Sequence, residues 1–225
     1  MTTSKERLLA AAENLFADYG IEAVSARQIA LAAGQRNQSA IRYHFGSKDD
    51  LIVALLDARI TEINESRAAM LEPPGTAGDM RALIGAIAAP LAERVERDAS
   101  GSAYVRFLAH LFSDRQRRDL LIEHGESAAL LRRIYTDLRH LSRALPEAII
   151  AERLRLMVGG IIHALADRER LRAKGNAGPF VLTQGAFLSN LIDASVGILT
   201  APPSPATLAQ LPVSPVKEQV HGTNS

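Results

Sequence analysis

The first fifty residues are punctuated as a series of short helices. Twice a hydroxyl stands three residues ahead of a Glu or Gln, Thr3 with Glu6 and Ser25 with Gln28. In that arrangement each side chain satisfies an orphan backbone N–H of the other residue, which marks a helix start. Leu8, Leu9, Ala12, Leu15, Phe16 and Tyr19 then recur at helical spacing up to Gly20, a residue suited to a helix C-terminus. The second helix passes Ile29 and Ala32 and stops at Gly34. Gln35-Arg36-Asn37 reads as a turn, with Asn37 capping a third helix over Gln38 to His44. Gly46 breaks the chain, and Ser47 caps a longer helix with Asp49 and Asp50 in its dipole-favoured first turn. Chains punctuated this closely have little room for strands.

Composition agrees. The 225 residues include 37 Ala and 29 Leu against 10 Val and 10 aromatics, the opposite of what strands favour. An all-α fold is expected. With no cysteine, the chain offers no disulfide framework, no Cys-ligated metal and no thiol nucleophile. The first residues carry no apolar signal core. The long uncharged run Ala194–Val216 contains five prolines, which rules out a spanning helix there. A cytoplasmic, soluble protein without membrane contact is the expectation.

The remainder reads as further helices. Ser47 to about Leu71 buries Leu51, Ile52, Leu55, Leu56 and Ile63, and ends before Pro73-Pro74-Gly75. Met80 to Leu91 forms the next stripe, with Pro90 expected to kink it. Another stripe carries Tyr104, Phe107, Leu108, Leu111 and Phe112. Asp114 to Gly125 is charged and ambiguous. Helices are then expected from Glu126 to Leu145, from Glu147 to about Ala173 with an interruption at Gly159-Gly160, and from Phe180 to about Leu199. Five of the ten prolines fall in residues 201–225, which read as a disordered tail. The expected domains are residues 1–50, joined by the linking helix 47–71 to a body over 51–200, and then the tail.

Three short helices, the second and third joined by a tight turn, make a helix-turn-helix pattern. Its third helix must present polar side chains to the major groove of DNA. Asn37, Gln38, Ser39, Arg42, Tyr43 and His44 supply donors, while Ala40, Ile41 and Phe45 suit the core. Residues 34–48 carry Arg36, Arg42 and Lys48 and no acid, a local charge of +3 in a chain of net charge +1. Arg can bond two acceptors of guanine, and Asn or Gln can pair with adenine. Arg27 and Lys48 sit near helix N-termini, where backbone N–H groups also attract phosphate.

Residues 5–56, about a quarter of the chain, resemble the N-terminal domain of the tetracycline-repressor (TetR) family of bacterial transcription regulators. The resemblance rests on four stretches: Arg7-Leu8-Leu9-Ala10-Ala11-Ala12 through Leu15-Phe16-Ala17-Asp18-Tyr19-Gly20, Ser25-Ala26-Arg27-Gln28-Ile29-Ala30, Ala33-Gly34, and Tyr43-His44-Phe45-Gly46-Ser47-Lys48-Asp49-Asp50-Leu51. It implies phosphate contacts from Ser25, Arg27, Tyr43 and Lys48, and base-edge contacts from Gln38, Ser39 and Arg42. Two departures stand out. The turn Gln35-Arg36-Asn37-Gln38 is one residue longer than the family's usual turn, and Arg42 replaces an aromatic residue.

The resemblance also implies a C-terminal helical region that dimerises and encloses a small-molecule pocket. Small residues in the last two long helices, interleaved with larger apolar ones, suit a four-helix dimer interface. Its candidates are Leu154, Gly160, Ile161, Ala164, Gly185, Leu188, Leu191 and Ala194. Tyr104, Arg106, Phe107, His110, Tyr135, Met157 and His163 are candidate effector-pocket residues. His110 precedes Asp114, and His163 precedes Asp167, at the i,i+4 spacing of a simple hydrogen bond, without a third ligand for a metal. Arg115, Arg117 and Arg118 read as a solvated face offset by Asp114 and Asp119. No cofactor or metal is expected. The leading expectation is a homodimeric repressor released from a palindromic DNA operator by an unidentified small molecule. The alternatives are a helical enzyme using His110 or His163, and an interaction protein of the same fold that does not bind DNA.

Overall fold

A computed structural model describes residues 3–35, 39–97, 103–123, 128–173 and 182–211. Among them there is no strand. Helix α1 (Ser4–Tyr19) opens on the Thr3–Glu6 capping box, in which the Thr3 N–H donates to Glu6 Oε2 at 2.7 Å. Its Leu8, Ala12 and Phe16, four residues apart, are fully buried. Helix α2 (Ala26–Ala32) opens on the Ser25–Gln28 box. Gly34 leaves it at φ 69°, a conformation strained for any residue with a Cβ. The Gln35 side chain then donates to Ser4 Oγ at 2.9 Å and ties the turn to the start of α1.

Helix α3 spans Ala40–His44, two residues shorter at its start than its pattern suggests. Ser39 is its N-cap and makes no side-chain capping bond, and the expected cap Asn37 lies outside the described residues. Ile41 is the residue that α3 buries. Helix α4 (Lys48–Leu71) is capped by Ser47, whose backbone N–H and hydroxyl both bond Asp50 Oδ2. At about 1.5 Å per residue it is a rod of roughly 36 Å.

A single 3-10 turn, Thr76–Gly78, leads into α5 (Met80–Arg97). This is the central helix. It packs against α4 on one side and is buried from Leu83 through Ala92. Pro90 lies within α5, buried among Ala89 and Leu91. Then come α6 (Ala103–Ser113), a short α7 (Leu120–Glu123), α8 (Ala129–Leu141), α9 (Glu147–Ala173) and α10 (Gln184–Thr200). Helix α6 lies against both α1 and α9, while α10 packs on α5 and α9.

Several boundaries differ from the sequence expectation. Helix α8 ends at Leu141, short of Leu145, and α10 opens at Gln184, where Thr183 caps it by accepting from the Ala186 N–H; the expected starts Glu126 and Phe180 lie outside the described residues. Helix α9 runs unbroken through Gly159-Gly160. Gly159 is there for space, since a Cβ would stand 2.7 Å from Phe112 Cε1 of α6. Part of the proline-rich segment is ordered as α11 (Pro205–Ala209). Proline at the first helical position brings its φ pre-set, and Ser204 supplies the cap, so proline density there favours a helix start rather than disorder. Residues 212–225 lie outside the description.

Candidate nucleic-acid interface and helical-body cavity

The head presents the expected polar set in part. Ser25, Arg27, Ser39, Arg42 and Tyr43 are exposed, and Tyr43, at 84%, stands almost free of the fold. Its ring meets His44 edge-on at 5.0 Å, which orients both side chains at the end of α3. Arg36, Asn37 and Gln38 lie outside the described residues. The Ser25 hydroxyl holds the α2 capping box.

Lys48 is more deeply engaged than a phosphate-binding lysine on a helix start. Its ammonium donates to the Ile21 carbonyl and lies 5.8 Å from the centre of the Phe16 ring. Burial pulls its pKa down, opposed by Glu22. Lys48 thus pins the α1–α2 loop to the foot of α4.

Head and body are joined by charge as well as by packing. Arg117 reaches across from the turn after α6 to Asp49 at 2.6 Å, to Asp114 at 2.9 Å, and to Glu22. Those carboxylates raise its pKa further. The Arg115-Arg117-Arg118 run is therefore not simply a solvated face: Arg117 is a clasp, and Arg118 lines the cavity described next.

The body holds a partly open cavity of about 430 Å³. Tyr104, Leu108 and Phe112 of α6 supply one wall, and Leu56, Ile60, Ile63 and Arg67 of α4 another. Tyr135 of α8 and Leu154 and Val158 of α9 add to the lining. Of the expected pocket residues, Tyr104 and Tyr135 are here. The other five are elsewhere, for a geometric reason. On α6 the row 104–108–112 faces the cavity, while residues 106, 107 and 110 turn toward α1 or α9.

Arg106 bonds Asp18 of α1 and Glu169 of α9, the latter at 2.9 Å. Phe107 stacks on Phe16 with centroids 5.9 Å apart. His110 hydrogen-bonds the Ala17 backbone beside Gly20, and burial lowers its pKa. Met157 is fully buried outside the cavity lining, and His163 is exposed beside Ser113. Neither histidine takes its i,i+4 aspartate as a hydrogen-bond partner; Asp114 and Asp167 bond Arg117 and Arg170 instead. Among the described residues no group of three His, Asp or Glu is placed to hold a metal ion.

Arg67 was not anticipated. It sits on the α4 row of Leu56, Ile60 and Ile63, and is 4% exposed. A lone cation on an otherwise apolar i, i+3, i+4 stripe is the signal that would have found it.

The dimer candidates divide. Leu154 lines the cavity and Ile161 is fully buried in the core, so neither is open to a partner. They lie on the inner side of α9 because they share its face with Met157, Val158 and Leu165. Gly160, Gly185 and Ala194 are exposed, and Ala164, Leu188 and Leu191 are partly so. No helix among the described residues is long and apolar enough to cross a membrane.

Comparison with known proteins bears on both regions. Residues 8–55 match the model of bacterial regulatory proteins of the tetR family, and residues 85–197 match a tetracyclin repressor-like C-terminal domain. The "HTH-type transcriptional dual regulator CecR" of Shigella flexneri is 51% identical over 51 residues, which are 23% of this chain and 22% of that protein. The solved structure of a TetR-like transcriptional regulator from Rhodococcus sp. RHA1 shares the fold at TM-score 0.53 and 17% identity, covering 88% of this chain and 97% of that one. A tetR family transcription regulator from Shewanella sp. PV-4 does so at TM-score 0.56 and 18% identity, covering 86% and 98%.

Proposed function

The chain belongs to the tetR family of bacterial regulatory proteins, and we propose that it works as a homodimeric repressor released from a palindromic operator by a small molecule. One observation carries this reading. The same helix, α4, is capped at Ser47 beside the DNA-facing α3 and, two to five turns later, forms a wall of the body cavity through Leu56, Ile60, Ile63 and Arg67. A ligand that fits only one placement of that wall shifts the population toward it, and the rod carries the difference to the head. Coupling of about 1–3 kcal/mol is enough for such release.

DNA contact is assigned to Ser25, Arg27, Ser39, Arg42 and Tyr43, with Arg36, Asn37 and Gln38 completing the set. The exposed outer face of α9 and α10, around Gly160, Gly185 and Ala194, is assigned to the second subunit. Two recognition helices are then available for half-sites about 34 Å apart.

A gel-shift titration with the DNA upstream of the protein's own gene tests the reading. The expected result is a sequence-selective shift that weakens steeply with salt. Arg42→Ala is expected to cost about 1–3 kcal/mol of specific affinity. Equal affinity for that DNA and for random DNA would overturn the assignment. Because the Shigella relative is named a dual regulator, a reporter under the same DNA decides between repression and activation.

A further inference from the structure

Arginines held inside this protein generally hold carboxylates. Arg106 takes Asp18 and Glu169, Arg117 takes Asp49, Glu22 and Asp114, and Arg168 lies beside Glu96. Arg67 is buried more deeply than any of these and has none among the described residues. Its Nε donates to the Ala86 carbonyl and its Nη1 to Asn64 Oδ1, both at 3.2 Å and both neutral acceptors. The ionisable groups acting on it are the phenols of Tyr104 and Tyr135. Burial pushes Tyr104 up to about 12 and raises Tyr135 as well, so both remain O–H groups able to donate. A guanidinium coupled to two phenols on the lining of a largely apolar cavity makes a cluster rich in donors and deficient in negative charge. Buried charges in proteins are normally paired.

We propose that the cavity binds an organic monocarboxylate with an apolar body, its carboxylate on Arg67 between Tyr104 and Tyr135 and its body along Leu56, Ile60 and Leu108. This deepens the effector-release reading and rests on it. A guanidinium fork matches a carboxylate in two parallel hydrogen bonds, which an alcohol or amine cannot reproduce. The acid enters head first because Arg67 is the one lining arginine that is buried: Arg139 and Arg155 already pair with Glu147 and Glu152, and Arg118 is only half-buried. From Leu56 to Arg67 the α4 wall extends about 16 Å, room for a substantial apolar body.

Calorimetric titration of the full-length protein tests this with decanoate and 2-naphthoate, each against its uncharged counterpart, decanol and 2-naphthol. The expected result is one site per chain, with at least one acid binding tenfold or more tightly than its alcohol. Arg67→Met removes that preference, and Arg67→Lys keeps part of it. The proposal is overturned if neither acid binds, if acid and alcohol bind alike, or if Arg67→Met leaves the preference intact. The wild-type comparison stands even if Arg67→Met folds poorly. Adding each ligand to the gel-shift assay separates the two readings. An acid that binds preferentially but leaves the DNA shifted supports the ligand class and overturns ligand release. Release by acid and alcohol alike supports release and overturns the ligand class.

Discussion

Arg117 Nε lies 2.6 Å from Asp49 Oδ1, joining the turn beyond α6 to the first turn of α4. The same guanidinium also holds Glu22 in the loop between α1 and α2. One side chain therefore closes the junction between the DNA-facing head and the body. Asp49 and Glu22 are more than half exposed, so solvent screens much of the attraction. Arg117→Ala is expected to cost about 1 kcal/mol of stability by urea unfolding. Arg117→Lys, with one compact donor group, is expected to recover less than half of that.

Burial of the His110 imidazole, packed against α1 at Ala17 and Gly20, disfavours its protonated form, and the nearby guanidiniums of Arg170 and Arg106 reinforce this. Its pKa is below the ordinary 6.5, so folding favours the unprotonated ring. The associated stability is complete above 6.5 and is lost as pH falls below that value toward the folded-state pKa. Urea unfolding at pH 7.5 and pH 5.5 should show a smaller loss in His110→Asn than in the unaltered protein. An equal loss in both would remove His110 from the account.

Gly159→Ala places a methyl 2.7 Å from the Phe112 ring. Overpacking of this kind costs about 1–3 kcal/mol. The melting temperature should fall, and Phe112→Leu in the same chain should restore part of the loss. Because Phe112 lines the cavity, the single variant should also weaken ligand binding there.

Ala194 is exposed on α10, so a larger side chain is tolerated by one chain alone. Ala194→Glu is expected to leave the helical circular dichroism signal unchanged while shifting sedimentation from dimer to monomer. A dimer that persists would move the interface off this face.

The head was legible because its signals are local. Thr3 with Glu6 and Ser25 with Gln28 act within one helical turn, and both boxes form as read. Ser47 signals a cap in the same way, and it bonds Asp50 in a third box. The cavity was less legible because its lining depends on how each helix is rotated. Arg106, Phe107 and His110 have the same chemistry in sequence whichever way α6 turns, and the packing of α1 decides that they face the head. Leu154 and Ile161 fit a dimer stripe by composition, yet they share the inner face of α9 with Met157 and Leu165. Arg67 was hidden by its charge, since a cation on a helix is ordinarily read as solvent-facing.

The seam between α1 and α6 sets what the head is free to do. It contains the Phe16–Phe107 stack and the Arg106–Asp18 pair, and it lies apart from the covalent path through α4. The Arg117 clasp is a further tie, so the head is fastened to the body through α4, through α6 and through the turn beyond α6. On the proposed release, such a head would turn as one piece with its core intact, and only the placement of its α3 relative to the partner's would change.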